Sequence, residues 1–127
     1  LMQPTLLERI VAPDLATIDA PEPVLLSQPI ARSTATELTA LMVQGVANGA
    51  ASNARIEGVD VAGKTGTAEN GATEPYTLWF TGFAPADNPQ VAIAVVIEDG
   101  GGQGQSAFGN QIAAPIAKRV LEAVLSR

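Results

Sequence analysis

Between residues 66 and 90 the chain has no room for a helix. Gly66, Asn70-Gly71, Pro75, Pro85 and Pro89 interrupt every stretch long enough to wind one. Three runs there fit strands instead: about 59–68, Tyr76 to Ala84, and Val91 to Glu98. One link holds Asn70-Gly71 and Pro75; the other holds Pro85, Asp87, Asn88 and Pro89. Short links rich in turn residues predict antiparallel neighbours in a single meander. The third run is almost continuously apolar, which predicts a strand buried on both faces.

Helices are expected on either side. Residues 33–49 carry Ala35, Leu38, Met42, Gly45, Val46 and Gly49 at helical spacing. Thr34-Ala35-Thr36-Glu37 fits a capping box, Ser33 is an alternative cap, and Asn48-Gly49 is a stop. A closing helix over about 112–125 has Ile112, Ile116, Val120, Ala123 and Val124 on one apolar face, with Pro115 in its first turn. Ahead of the first helix, residues 1–31 read as an irregular lead-in. Leu6 to Val11 is a strand or short helix there, and Val24-Leu25-Leu26 a short strand. The expected fold class is α/β of the α+β kind: a three-strand antiparallel meander with covering helices, in one domain without internal repeats.

Composition removes several chemistries. Net charge is −6 with no basic cluster, which argues against a nucleic-acid or anionic-membrane surface. There is no cysteine and no histidine, so thiol nucleophiles, imidazole bases and the usual zinc ligands are absent. No metal and no cofactor is expected. The run from Val91 to Ile97 is too short to span a bilayer. Leu1-Met2-Gln3 does not resemble a signal peptide and reads as an interior segment, so the beginning of the protein is expected elsewhere.

Lys64 is one of two lysines in the chain, set between Gly63 and Thr65-Gly66-Thr67. Two patterns overlap on it. Gly58 to Thr65 matches the phosphate-loop pattern G-x-x-x-x-G-K-[ST]. That pattern needs a strand before the first glycine and a helix opening at the lysine, and here both are missing. As a strand, the same residues put Lys64 and Gly66 on one face and Thr65 and Thr67 on the other. At a sheet edge such a strand can pair with an extended peptide. Lys64 supplies charge, Gly66 lets a ligand come close, Thr65 can donate to a carboxylate, and the Thr67 backbone N–H can meet an oxyanion. That set suits acyl transfer from a peptide ending in a carboxylate.

The wider context carries a family resemblance. Val61 to Glu69 resembles the third-strand signature of class B penicillin-binding proteins, with its K-T-G element at Lys64-Thr65-Gly66. Trp79-Phe80-Thr81-Gly82-Phe83-Ala84-Pro85 resembles the strand that follows in that family. Val91 to Glu98, the glycine loop at 100–105, and Ala113 to Lys118 are similar to its closing strand and helix. Gly45-Val46 to Ala51 resembles the helix end ahead of the signature.

The resemblance implies a membrane-anchored, extracytoplasmic serine D,D-transpeptidase that crosslinks peptidoglycan stem peptides and is acylated by β-lactams. It implies that Lys64 assists the catalytic hydrogen-bond network. It also implies that Thr65 and Thr67, either side of Gly66, hold the substrate carboxylate, and that the Thr67 N–H forms half of an oxyanion hole. The Trp79 segment is expected to support the core. The family's S-x-x-K and S-x-N elements are absent: Val61 and Pro115 stand three residues before the two lysines, and no serine has an asparagine two residues later. Residues 1–127 are therefore expected to be the C-terminal portion of a single transpeptidase domain. An upstream part would carry the nucleophile, its base and the membrane anchor. A serine β-lactamase and a non-catalytic β-lactam sensor of the same fold are the alternatives, with a phosphate-loop nucleotide hydrolase a remote one.

Overall fold

The computed structural model describes residues 1–126, which form two compact units, Leu1–Ala35 and a second starting at Thr36. The first unit is built from very short pieces. Strands β1 (Ile10–Val11) and β2 (Thr17–Asp19) pair antiparallel, and Asp14 Oδ1 accepts the Ala16 N–H in the turn between them. A single bridge joins Met2 to Leu25. Of the strand expected over Leu6 to Val11, only the last two residues form one, and Val24 to Leu26 supplies only that bridge. Pro13, Pro21 and Pro23 lack the N–H groups that longer ladders need.

Helix α1 (Arg32–Ala47) opens one residue before Ser33, and the Ala35 N–H bonds the Ala31 carbonyl. Ser33 and Thr34 therefore lie inside the first turn and are not its caps. Leu38 is 49% exposed, so the inward stripe narrows to Met42, Val43 and Val46. The helix ends before Asn48-Gly49 as expected. A Cβ on Gly49 would stand 2.9 Å from the Gly45 carbonyl oxygen, which leaves that position to glycine.

The second unit is organised by β4 (Thr77–Ala84), which lies between β3 (Ala62–Ala68) and β5 (Val91–Ile97). Both pairings are antiparallel, with Thr65 opposite Phe80 and Phe80 opposite Val95. Leu78, Phe80, Gly82 and Ala84 of β4 are buried. Enclosing a phenylalanine the size of Phe80 contributes about 1.5–3 kcal/mol. Against this face lie Val46 of α1 and the closing helix α2 (Ala113–Leu125), which contributes Ala113, Ala114, Ala117 and Leu121 to the core. Six of the ten residues in the core cluster are alanines, so the layers approach closely: a Cβ on Gly63 would meet the Phe80 ring at 2.6 Å and Val46 at 3.0 Å.

Two expectations need correction. On α2 the face of Ile116, Val120, Ala123 and Val124 is exposed; the stripe that covers the sheet is the alanine-rich one with Leu121. Small side chains let the helix backbone sit close to the strands, and the bulkier β-branched residues are left outside. On β5 burial alternates, with Val91, Ile93, Val95 and Ile97 half-buried and Val96 47% exposed, because among the described residues helices cover one face of the sheet. The glycine-rich stretch after β5 is a 3-10 turn (Asp99–Gly102) fastened by the Gly100 N–H to the Tyr76 carbonyl at 2.7 Å.

Candidate functional site

β3 stands at one end of the sheet order, with β4 on one side of it and the other side an edge. It runs through Lys64 without interruption to Ala68. The phosphate-loop reading is overturned by that, since no helix opens at the lysine. The bridge Ile56 to Val59 and the buried Val61 lead the chain straight into the strand.

Register fixes which side chains share a face. Lys64 stands opposite Thr81 and Gly66 opposite Trp79; those four lie on the face without a helix, where Ala94 and Val96 follow on β5. Lys64 is exposed, and its Nζ donates to the Thr65 carbonyl at 2.5 Å. Trp79 is 44% exposed on this face. Its segment supports the core through Leu78 and Phe80, but the indole does not, because strand alternation turns it to the opposite side. A Cβ on Gly66 would stand 3.3 Å from the Trp79 Cβ, so glycine keeps the ground beside the indole low.

Thr65 and Thr67 fall on the helix-covered side. Thr65 is half-buried and its Oγ1 donates to the Ala50 carbonyl at 3.1 Å, whereas Thr67 is exposed near the strand end. Lys64, Thr65, Gly66 and Thr67 thus form one edge segment that carries a cation on one face and two hydroxyls on the other. Beyond it, the β3–β4 link is held by Gln105, whose Nε2 lies 3.1, 3.2 and 2.9 Å from the carbonyl oxygens of Gly71, Ala72 and Glu74. Asn70 Nδ2 donates to the Pro75 carbonyl at 2.7 Å and to Thr77 Oγ1 at 3.0 Å. These anchors gave no signal in the sequence, because a lone glutamine in a glycine loop has no pattern to read.

The model of the penicillin binding protein transpeptidase domain matches residues 1–122. The chain belongs to that family. Among relatives of this transpeptidase family, peptidoglycan D,D-transpeptidase PbpA of Mycolicibacterium smegmatis is 41% identical over 127 residues, 98% of this chain and 26% of that protein. Stage V sporulation protein D of Bacillus subtilis is 34% identical over 110 residues, 83% of this chain and 17% of that protein. Among solved structures, the ceftriaxone acyl-enzyme of penicillin-binding protein A from M. tuberculosis superimposes with a TM-score of 0.85 at 40% identity, covering 98% of this chain and 28% of that one. The D,D-transpeptidase domain from Eggerthella lenta gives 0.81 at 34% identity, again covering 98% and 28%. The chain spans about a quarter of the length of the PbpA relatives it matches. The transpeptidase fold, with its antiparallel sheet and helices, is shared throughout that matched length.

Proposed function

We propose that this chain is the K-T-G-bearing, C-terminal portion of a single transpeptidase domain in a peptidoglycan D,D-transpeptidase. The complete protein would take D-Ala-D-Ala stem peptides, form an acyl-enzyme on a serine as the terminal amide breaks and D-alanine leaves, and pass the acyl group to an amine of a second stem, which frees the serine. β-Lactams would enter by the same route. The observation that supports this reading is the edge position of β3, whose segment Lys64–Thr67 carries an exposed cation on one face and two hydroxyls on the other.

Each residue has a role in the reading. The substrate's extended backbone adds to the free edge of β3. Lys64 brings an ammonium to the face that the serine-bearing portion would cover, where it favours the deprotonated nucleophile and the proton relay. The Thr67 N–H meets the oxyanion as the tetrahedral intermediate forms. The Thr67 hydroxyl holds the terminal carboxylate, and Thr65 joins it by turning its proton from Ala50 to the carboxylate. Gly66 leaves the approach clear. The serine, its S-x-x-K lysine and the S-x-N element would come from a portion of the protein outside these residues. That portion would also bring the membrane anchor and so an extracytoplasmic location; no helix among the described residues is long and apolar enough to cross a membrane.

The test is covalent. The complete protein, incubated with a labelled penicillin and denatured, should carry one label per active serine by mass spectrometry. A protein that stays unlabelled is no acyl-transfer enzyme. Rapid loss of the label would move the assignment to a β-lactamase, and a stable label without crosslinking of stem peptides to a sensor.

A further inference from the structure

An edge strand has a partner on one side only, and β3 also contains Gly66, the residue type that holds a backbone least firmly. Yet an oxyanion donor must hold its position to about half an ångström. The side of β3 that faces the helices carries a closed ring of contacts that meets this need. Thr65 Oγ1 donates to the Ala50 carbonyl at 3.1 Å. Just beyond Ala50, the 3-10 turn Ser52–Ala54 is bound to Asn110 three times. The Asn53 N–H donates to Asn110 Oδ1 at 3.0 Å, Asn53 Nδ2 donates to the Asn110 carbonyl at 2.9 Å, and Asn110 Nδ2 donates to Ser52 Oγ at 3.4 Å.

The next residue back returns to the strand. Gly109 is buried, and a Cβ on it would stand 2.5 Å from the Trp79 carbonyl oxygen, 2.8 Å from the Gly66 carbonyl oxygen and 3.3 Å from the Thr65 Cβ. Its own carbonyl accepts the Ala114 N–H at 2.9 Å, which ties it to the first turn of α2. The ring therefore runs Thr65, Ala50, Asn53, Asn110, Gly109 and back to Gly66.

We propose that Asn110 is a positioning residue for acyl transfer, resting on the function assigned above. Its side chain binds the 52–54 turn while its neighbour Gly109 is wedged beneath Thr65 and Gly66. Through these two attachments it fixes the height of the β3 backbone, and with it the Thr67 N–H and the root of the Lys64 side chain. Asn110 touches no substrate. The asparagine pair and the Gly109 wedge hold the backbone whichever acceptor takes the Thr65 proton.

Hydrogen exchange and acylation kinetics on the complete protein test this together. Asn110→Ala should speed amide exchange in 50–54 and 63–68 while 91–97 keeps its protection. The acylation rate constant should fall about tenfold with the initial affinity for penicillin little changed, since misplacement by about 1 Å can cost up to 10²-fold. Asn110→Asp keeps an acceptor for the Asn53 N–H and should restore both readouts to within about threefold of the parent. If Asn110→Ala does not fold, Asn110→Asp alone decides, with a small local rise in exchange at 63–68 expected. Unchanged exchange at 63–68, or a rise spread evenly over all three strands, would overturn the proposal, as would an acylation constant of a folded Asn110→Ala protein that stays at the parent value. An unlabelled parent protein would sink the transpeptidase reading instead, and the exchange pattern would still judge whether Asn110 holds β3.

Discussion

Gly66 faces Trp79 across the β3–β4 pair, and a Cβ added to the glycine would stand 3.3 Å from the tryptophan Cβ. That spacing is tight but not prohibitive. Gly66→Ala should therefore cost little stability, about 1 kcal/mol or less, because the contact is relieved by a shift of a few tenths of an ångström and the indole ring atoms already lie at 3.9 Å. The methyl group would still rise from the surface where a substrate must lie. Acylation by penicillin should fall at least about tenfold, a larger change than the altered melting temperature accounts for. Parallel thermal melts and label-incorporation rates check it.

Lys64 is exposed, and its Nζ donates to the neighbouring carbonyl of Thr65. Lys64→Ala should leave the melting temperature within about 2 °C of the parent, as surface changes usually lie within ±0.5 kcal/mol. Acylation should slow by about 10²–10⁴-fold if the ammonium serves proton transfer at the nucleophile. Unaltered label incorporation in a folded Lys64→Ala protein would remove the lysine from the mechanism.

Phe80 is fully buried and its ring lies directly under Gly63. Phe80→Ala should destabilise the protein by about 3–5 kcal/mol in denaturant titrations, the range for a deleted core aromatic. Gly63→Ala should be costly for the complementary reason. Its Cβ would fall 2.6 Å from the Phe80 ring, and the substituted core would be overpacked by about 1–3 kcal/mol.

The two faces of α2 give a paired comparison. Leu121 is fully buried and Val120 is 43% exposed. Leu121→Ala should cost about 2–5 kcal/mol, whereas Val120→Ala should cost well under half of that. Equal losses in urea melts would mean that the outer face is covered as firmly as the inner.

The comparison between sequence and structure divides along physical lines. The meander was legible because prolines, glycines and asparagines bracket each apolar run, and turn chemistry is local. β3, β4 and β5 all begin within three residues of where those signals put them. The α2 face was misread because periodicity favours large apolar residues, whereas close packing on a sheet selects alanines such as Ala113, Ala114 and Ala117. The β5 run was misread because apolarity does not say which face has cover. At the site, alternation along β3 assigned Lys64 and Thr65 to opposite faces. The Asn53–Asn110 pair could not be read at all: its members are 57 residues apart, and no local rule links them.

The placement of Lys64 has a consequence for how the segment can vary in length. Gly63, one position earlier, points toward Phe80 and Val46, so the interior at that level has no space for a side chain. Inserting or removing a single residue in β3 would exchange the two positions and drive an ammonium group into that space. Length changes tolerated by descendants of this sequence must therefore come in twos within the strand, or fall in the connections at 69–76 and 85–90, where parity does not matter.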